Sequence, residues 1–425
     1  MVRFLYALLF YVAQPLVWMR LLWRARKQPE YLQHLGERYG FHSGRAPERL
    51  LWLHAVSVGE TRAAEPLIKA LLDAYPDHHL LLTHMTPTGR ATGAELMNKY
   101  GERLLQAYLP YDLPDACARF LDHFRPRLGL LMETELWPNL LVAAKSRNLP
   151  VSLVNARLSA RSQRGYRRFS ALIRPALESL RAVAAQTAAD AERLMTIGAR
   201  RVSVFGNIKF DVSPAPEKLQ LGAEWRRTIG TRPIWLAAST REGEEALVLD
   251  AFSRIDLPDL LLVLVPRHPQ RFAEVAALAE ERGFTCCRRS ESSLPTPEIR
   301  VWIGDSMGEM PAYFAVADLA LMGGTLLPFG GQNLIEAAAC GCPVLVGPHT
   351  FNFAQAAEDA VACGAALRIA DAENAARTAK KLLTTNRDTL TQMRTTATAF
   401  SQAHRGATAR TVALVREITA LRTED

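Results

Sequence analysis

The segment LLWLHAV at residues 50–56 is a short, almost wholly apolar run, and a turn and a helix-period pattern follow it. Similar runs recur along the chain. Apolar strands that alternate with helices are typical of a parallel sheet covered by helices on both faces. The further strands predicted in the first half are LLLTH (80–84), LLQAYL (104–109), RLGLLM (127–132), VSLVNA (151–156), VAAQ (183–186) and VSVFG (202–206).

The strand–helix pattern restarts after SPAPEK at residues 213–218, which we interpret as a linker. The strands predicted beyond it are IWLAAS (234–239), LLLVLVP (260–266), RVWIGD (300–305), DLALMGG (318–324) and PVLVG (343–347). We therefore predict an α/β fold with two Rossmann-like, doubly wound domains that face a cleft. The predicted segments are 1–49 (N-terminal anchor and lead-in helix), 50–212 (first domain), 213–219 (linker), 220–386 (second domain) and 387–425 (closing helices).

The charge of the chain is unevenly shared. The net charge is +8, yet residues 1–210 carry 29 Lys and Arg against 17 Asp and Glu, and the remainder carries 22 against 26. A basic half indicates an anionic partner, either nucleic acid or a phosphorylated membrane surface. The six cysteines lack the spacing of a zinc site, which favours free thiols in a reducing compartment.

The first segment decides between these two partners. Residues 4–19 carry no charge, and the basic residues that follow favour a cytoplasmic position for the rest of the chain. A helix of this length covers about 24 Å against a hydrocarbon core of about 30 Å, so it would span marginally or lie in the interface. The alternative is a buried helix of a globular domain, but Trp18, Trp23 and the basic residues favour the interface. Residues 157–181 hold seven arginines and one acid, but no nucleic-acid motif accompanies them. We therefore predict a membrane partner and no nucleic acid.

The most informative loop is GGTLLPFGGQNLIEAAA at residues 323–339. Its glycines allow close approach of a ligand to the backbone, and a helix beginning near Asn333 offers free N–H groups to a phosphate. Glu336, one turn into that helix, is placed to accept hydrogen bonds from ribose hydroxyls. This combination favours nucleotide binding over a plain strand–turn–helix junction.

Two more loops follow strands of the same predicted sheet. PRHP at residues 266–269 and GDSMGEM at residues 304–310 would line the same pocket. The alternative for His268 is a hydrogen-bonded loop histidine, and the alternative for Glu309 is a solvated carboxylate in the first turn of a helix.

In the first half, acidic residues follow the predicted strands. Glu60 falls at the turn after the first strand, where a carboxylate could take a proton from a hydroxyl, or could instead favour a helix N-terminus. Glu133 and Glu135 follow the strand at residues 127–132. Lys209 lies where the first domain meets the linker, and a solvated lysine is the alternative there.

Taken together, these loops resemble the Kdo transferases, which move 3-deoxy-D-manno-octulosonic acid (Kdo) from CMP-Kdo onto a lipid A precursor. The resemblance covers nearly the whole chain. The segments that carry it are HAVSVGE (54–60), METELWPNL (132–140), NARLSARS (155–162), PRHPQRF (266–272), GDSMGEM (304–310), GGQNLIEAAA (330–339) and GPHTFNF (347–353). Gln332 and Leu334 depart from the family's pattern.

The resemblance implies a GT-B glycosyltransferase that inverts the anomeric centre, needs neither metal nor other cofactor, and acts on lipid IVA at the cytoplasmic face of the inner membrane. It makes Glu60 the catalytic base and gives Glu133 and Lys209 supporting roles. The positions that match the family's CMP site are Arg267, His268, Pro269, Gly308, Glu309, Met310, Asn333, Leu334, Ile335 and Glu336.

Two other functions remain open at this point. A UDP-sugar transferase or epimerase of the same fold would bind UDP rather than CMP. A membrane-bound, anion-binding scaffold without catalysis would tolerate the loss of Glu60. The number of Kdo units transferred and the acceptor hydroxyl stay open as well.

Overall fold

The computed structural model describes residues 2–211, 213–291 and 294–420. The chain divides into two compact units, one formed by Met1–Asp211 with Arg405–Asp425 and the other by Val212–His404. Each unit contains its own seven-stranded sheet, and all strand pairs in both sheets are parallel. The predicted α/β fold with two doubly wound domains is therefore confirmed.

The sheet of the first unit has the strand order β3-β2-β1-β4-β5-β6-β7. Its strands are β1 (Leu50–His54), β2 (His79–His84), β3 (Leu104–Tyr108), β4 (Leu128–Met132), β5 (Val151–Ala156), β6 (Val183–Ala185) and β7 (Val202–Val204). The helices that precede, connect or flank them are α1 (Val2–Val12), α2 (Gln14–Ala25), α3 (Val58–Ala74), α4 (Pro87–Tyr100), α5 (Pro114–Phe124), α6 (Pro138–Lys145), α7 (Ala160–Arg168), α8 (Ser170–Ser179) and α9 (Ala188–Thr196).

The pairing of β1 with β4 is fixed by a large residue opposite a glycine. Trp52 is fully buried and is the register partner of Gly129. A side chain at position 129 would place its Cβ 2.6 Å from the Trp52 ring, so only glycine fits there. All five residues of β1 are buried, as a strand covered on both faces requires.

The second unit has the strand order β10-β11-β9-β8-β12-β13-β14. Its strands are β8 (Ile234–Thr240), β9 (Leu261–Pro266), β10 (Cys286–Arg288), β11 (Val301–Ile303), β12 (Leu319–Met322), β13 (Val344–Val346) and β14 (Ala366–Arg368). Its helices are α10 (Pro216–Ile229), α11 (Glu244–Ser253), α12 (Phe272–Glu281), α13 (Met310–Val316), α14 (Leu334–Ala339), α15 (Ala354–Cys363), α16 (Ala372–Thr384) and α17 (Arg387–His404).

The segment boundaries differ from the prediction at two places. Residues 216–219 of the predicted linker form the first turn of α10, because Pro216 fits the start of a helix, where its missing N–H costs nothing. The closing helices divide: α17 belongs to the second unit, whereas α18 (Ala407–Ala420) belongs to the first. Residues 421–425 lie outside the described part of the chain.

The N-terminal helices α1 and α2 pack along the first unit. The Tyr6 hydroxyl donates to Asp112 at 3.0 Å, and the Tyr39 hydroxyl donates to Gln14 at 2.9 Å. In the described ranges no single helix is long and apolar enough to cross a membrane, but the bent pair α1–α2 passes that test jointly, with 46° between its two parts.

Candidate active site

The strand order of the first unit places a crevice at the carboxyl ends of β1 and β4. The chain runs outward from β1 to β3 on one side and from β4 to β7 on the other, so β1 and β4 flank the point at which the connections diverge. In open α/β sheets, ligands bind at such a point. Glu60 follows β1 and Glu133 follows β4, so the topology brings both carboxylates to this crevice.

Glu60 lies in the first turn of α3, and both of its carboxylate oxygens accept hydrogen bonds. The Val56 amide donates to Oε2 at 2.9 Å, and the Ser57 hydroxyl donates to Oε1 at 3.2 Å. These bonds fix the carboxylate at the helix N-terminus, where a negative charge is favourable, as in the alternative that the sequence left open. Both oxygens keep a second lone pair for an incoming hydroxyl.

The surroundings of Glu60 raise the pKa of its carboxyl group. Burial raises its pKa above the ordinary glutamate value, the Val56 amide lowers it, and the neighbouring charge of Glu133 raises it again. The Ser57 hydroxyl and the Lys209 ammonium act in the lowering direction. A carboxylate whose pKa is raised in this way accepts a proton more readily than a solvated one.

Glu133 forms the centre of an ion-paired group. Its Oε1 lies 3.4 Å from Lys209 Nζ, and its Oε2 lies 3.1 Å from Arg157 Nε. Glu133 is 9% exposed and has a φ of +56°, a conformation that costs energy for a non-glycine residue. The structure therefore joins two residues that are 76 positions apart in the sequence, Glu133 and Lys209.

Lys209 is held in place by side-chain amides that the sequence analysis did not single out. Asn155 Oδ1 accepts from the Ile208 amide at 3.0 Å, and Asn207 Oδ1 accepts from the Lys209 amide at 3.0 Å. Gln186 ties these two together, because it donates to the Asn155 carbonyl at 2.9 Å and accepts from Asn207 at 3.1 Å. The only sequence sign of this arrangement was that Asn155 lies at the end of one predicted strand and Asn207 follows another.

Glu135 is a third carboxyl group at the same strand end. Its Oε2 accepts from Trp137 Nε1 at 2.9 Å. Burial raises the pKa of Glu135 to about 7, and the charges of Glu60 and Glu133 act in the same direction. Glu135 therefore holds a proton more readily than a solvated carboxyl group, while the Glu133 carboxylate is paired with two cations.

In the second unit, the strand-end loops surround a cavity of about 260 Å³. The loops after β9, β11 and β12 meet there, beside Ser239 near the end of β8. The residues that line the cavity are Ser239, Val265, Pro266, Arg267, Ser306, Met307, Gly308, Met310, Phe314, Met322, Gln332, Asn333 and Glu336. Three loops predicted to share one pocket therefore do so.

Glu336 and Arg267 are the charged groups of this cavity. Burial raises the pKa of Glu336, and the charge of Arg267 lowers it. No hydrogen bond to the Glu336 carboxylate is found among the described residues, so its oxygens are available to a ligand. Asn333 caps α14, since its Oδ1 accepts from the Ile335 amide at 3.2 Å, which confirms the predicted helix start.

Five predicted residues do not line this cavity. Leu334 and Ile335 are buried in the core, so only their backbone could reach a ligand. Glu309 is instead paired with Arg289, at 3.1 and 3.2 Å. The other two are His268 and Pro269, which stand at the start of a short 3-10 helix after Arg267. Burial lowers the pKa of His268, as do three nearby arginines.

The glycine-rich loop is supported by a buried glutamate that the sequence analysis missed. Glu244, only 1% exposed, accepts from the amides of Gly324 at 2.6 Å and Leu326 at 2.9 Å. Close packing also fixes the loop, because a Cβ at Gly323 would lie 2.3 Å from the Ser239 carbonyl oxygen. Ser239 itself has a φ of +56° at the end of β8.

Two doubly wound units of this kind form a fold of the GT-B type. The fold is similar to that of a glycosyltransferase from Rickettsia africae, with a TM-score of 0.56 and 14% identity over 88% of this chain and 99% of that one.

Sequence comparison shows the family to which the chain belongs. A family model described as 3-deoxy-D-manno-octulosonic-acid transferase matches residues 33–212. A 3-deoxy-D-manno-octulosonic acid transferase of Bordetella pertussis is 46% identical, over 96% of this chain and 98% of the relative. One from Haemophilus influenzae is 39% identical, over 83% of each chain. The chain belongs to the 3-deoxy-D-manno-octulosonic acid transferase family, as the motifs predicted.

Proposed function

We propose that the protein transfers Kdo from CMP-Kdo to lipid IVA, a lipid A precursor of lipopolysaccharide biosynthesis, with inversion at the anomeric carbon. The observation that carries this proposal is the 46% identity, over nearly the full length, to a protein named 3-deoxy-D-manno-octulosonic acid transferase. The group of Glu60, Glu133 and Lys209 at the divergence point of the first sheet supports it.

The proposed reaction is a single displacement. The acceptor hydroxyl oxygen forms a bond to the anomeric carbon of Kdo while the bond from that carbon to the phosphate oxygen of CMP breaks. The hydroxyl proton passes to Glu60, and CMP leaves with the bonding electrons. Lys209 supplies a positive charge that stabilises the negative charge of the transition state, and Glu133 holds the ammonium group in position. One displacement inverts the anomeric configuration.

We assign the nucleotide of the donor to the cavity of the second unit. The Glu336 carboxylate suits the two hydroxyls of a ribose, and Arg267 suits a phosphate. Calorimetry with CMP and with UDP tests the assignment to a cytidine nucleotide. We expect measurable CMP binding and much weaker UDP binding, and a preference for UDP would contradict the proposed donor.

Replacing Glu336 by alanine should weaken CMP binding by about 1–3 kcal/mol, because the ribose hydroxyls lose a charged acceptor. Titration calorimetry with CMP measures the change. Glu336→Gln keeps one acceptor oxygen, so its affinity for CMP should lie between those of the wild type and Glu336→Ala. Glu358→Ala is a control on the neighbouring helix α15. If folded Glu336→Ala protein binds CMP with unchanged affinity, Glu336 does not contact the nucleotide.

We further propose that α1 and α2 bind the enzyme to the cytoplasmic face of the inner membrane. Large apolar side chains on these helices are exposed, among them Leu9, Val12 and Leu16 at 63–68%. Arg20, Arg26 and Lys27 are exposed at the end of the same segment, where they can contact anionic lipid headgroups. Since the pair also packs on the first unit through Tyr6 and Tyr39, we favour a position in the interface.

Changing Leu9, Val12 and Leu16 to glutamine should move the protein from the membrane to the soluble fraction. Each exposed leucine or valine contributes about 1.5–3 kcal/mol on full burial, so a loss of at least tenfold in the partition coefficient is expected. Sedimentation with vesicles measures it. The matched control changes Met195, Val204 and Leu247, which are exposed elsewhere. Equal release of both triple variants would contradict the proposed contact.

A further inference from the structure

Helix α7 presents a row of arginines that the reaction described above does not use. Arg161, Arg164, Arg167 and Arg168 are all exposed. Positions 161, 164 and 168 are spaced three and four residues apart, so they share one face of the helix. Within the part of the chain that the structure describes, none of the four has a carboxylate or an aromatic ring as partner. Four such cations on a nine-residue helix repel one another, and an anion would relieve that repulsion.

The neighbouring helix differs in this respect. Glu178 is the one acid in residues 157–181, and it is paired with Arg174 of its own helix at 3.2 Å and with Arg200 at 3.0 Å. The acid is therefore already engaged elsewhere, and the charge of α7 is left for an external partner.

Helix α7 is tied directly to the loop that carries Glu133. The Tyr166 hydroxyl, on α7, donates to the Thr134 carbonyl at 3.4 Å. Thr134 Oγ1 donates to the Arg157 carbonyl at 2.9 Å, and Arg157 pairs with Glu133. A group bound on α7 is thus positioned relative to the carboxylates of the first unit.

Helix α7 and the apolar N-terminal segment also share a neighbouring helix. Both α1 and α7 pack against α8. A ligand with an apolar part in the membrane and a phosphorylated head group would meet the exposed leucines of α1 at one end and the arginines of α7 at the other.

From this placement we infer that α7 is the phosphate-recognition surface for the acceptor: Arg161, Arg164 and Arg168 bind a phosphate group of the phosphorylated glycolipid and so orient its hydroxyl toward Glu60. This inference rests on the proposed function for the identity of the acceptor. Arginine suits the role because its planar guanidinium forms paired hydrogen bonds to phosphate oxygens. Bulk anionic phospholipid, which carries the same phosphate chemistry, is the competing occupant.

The test compares two acceptors in nonionic detergent micelles, lipid IVA and its dephosphorylated analogue, with the wild type and an Arg161→Gln/Arg164→Gln/Arg168→Gln variant. We expect the KM for lipid IVA to be about tenfold higher in the variant, which corresponds to the loss of one charge-assisted hydrogen bond. The kcat and the KM for CMP-Kdo should change less than twofold. With the dephosphorylated acceptor, wild type and variant should have the same KM. A higher salt concentration should reduce the difference in the KM for lipid IVA between wild type and variant, since the three arginine side chains are exposed.

A matched control removes three exposed charges elsewhere in the first unit, through Arg45→Gln, Lys69→Gln and Arg200→Gln. Equilibrium binding of lipid IVA, measured by fluorescence anisotropy without donor, gives a second readout that does not need turnover. Binding lost in the α7 variant alone supports the inference even if no transfer is seen, and absent transfer by the wild type would count against the proposed function instead. An equal rise in KM for both acceptors would overturn the inference. So would an α7 variant that binds lipid IVA normally but no longer binds vesicles of anionic phospholipid.

Discussion

Glu60→Gln should lower kcat for Kdo transfer by about 10²–10⁴-fold, the range that general base catalysis supplies. Glutamine keeps the shape of the side chain but cannot take the proton of the acceptor hydroxyl. CMP-Kdo binding should be unaffected, because the nucleotide is assigned to the second unit. Initial rates at saturating substrates, together with calorimetric donor binding, separate these two quantities.

The structure sets the controls for this experiment. Glu60 accepts bonds from Val56 and Ser57, and the amide of glutamine can accept with only one of its two terminal atoms. A loss of about 0.5–1.5 kcal/mol in stability is therefore expected, and a thermal melt would detect it. Glu65→Gln removes a charge from the same helix α3 and should leave the rate unchanged. A Glu135→Gln variant that loses more activity than Glu60→Gln would move the base to Glu135, whose pKa of about 7 suits such a role.

Lys209→Met should lower kcat by about 10²–10³-fold, by analogy with the removal of one preorganised group that stabilises charge in a transition state. The fold should persist, because Arg157 still pairs with Glu133. Lys209→Arg keeps the positive charge and should retain far more activity than Lys209→Met. A methionine variant with near-normal turnover would make Lys209 a purely structural partner of Glu133.

Lys209→Met should also change the pH dependence of kcat in one direction. The charge of Lys209 lowers the pKa of Glu60, so its removal should raise that pKa. A carboxylate can act as a base only when it is ionised, and this applies to the role proposed for Glu60. The acidic limb of the kcat profile should therefore move to higher pH in Lys209→Met and stay in place in Lys209→Arg. A shift toward lower pH would contradict the proposed electrostatic coupling.

Most strands could be predicted because a strand buried on both faces is a continuous apolar run. The prediction missed β10 and β14, each of three residues at a sheet edge. β10 reads Cys286, Cys287 and Arg288, and all three are only partly buried. A strand at a sheet edge needs less burial, so strands as short as these two can lack a clear apolar run. The prediction also missed that α17 packs on the second unit and α18 on the first. Both helices have similar apolar patterns, so the sequence does not indicate which hydrophobic core each one packs against.

The type of the acidic groups at the first site was predictable, but their pairing was not. Parallel strands gather their carboxyl ends at one edge, which is enough to place Glu60 and Glu133 together. The bond from Lys209 to Glu133, and the amides of Asn155, Gln186 and Asn207 behind it, depend on tertiary contacts between distant segments. In the second unit, Glu244 was missed because a carboxylate at a helix start usually has a solvated alternative.

Kdo transfer to lipid IVA is measured by an assay with the purified protein, CMP-[¹⁴C]Kdo and lipid IVA, with the products resolved by mass. We predict a labelled glycolipid whose mass exceeds that of lipid IVA by one or more Kdo residues, and its loss in Glu60→Gln. The number of added residues settles how many Kdo units the enzyme transfers. An active, folded protein that leaves lipid IVA unlabelled but transfers or epimerises a UDP-sugar would contradict the account.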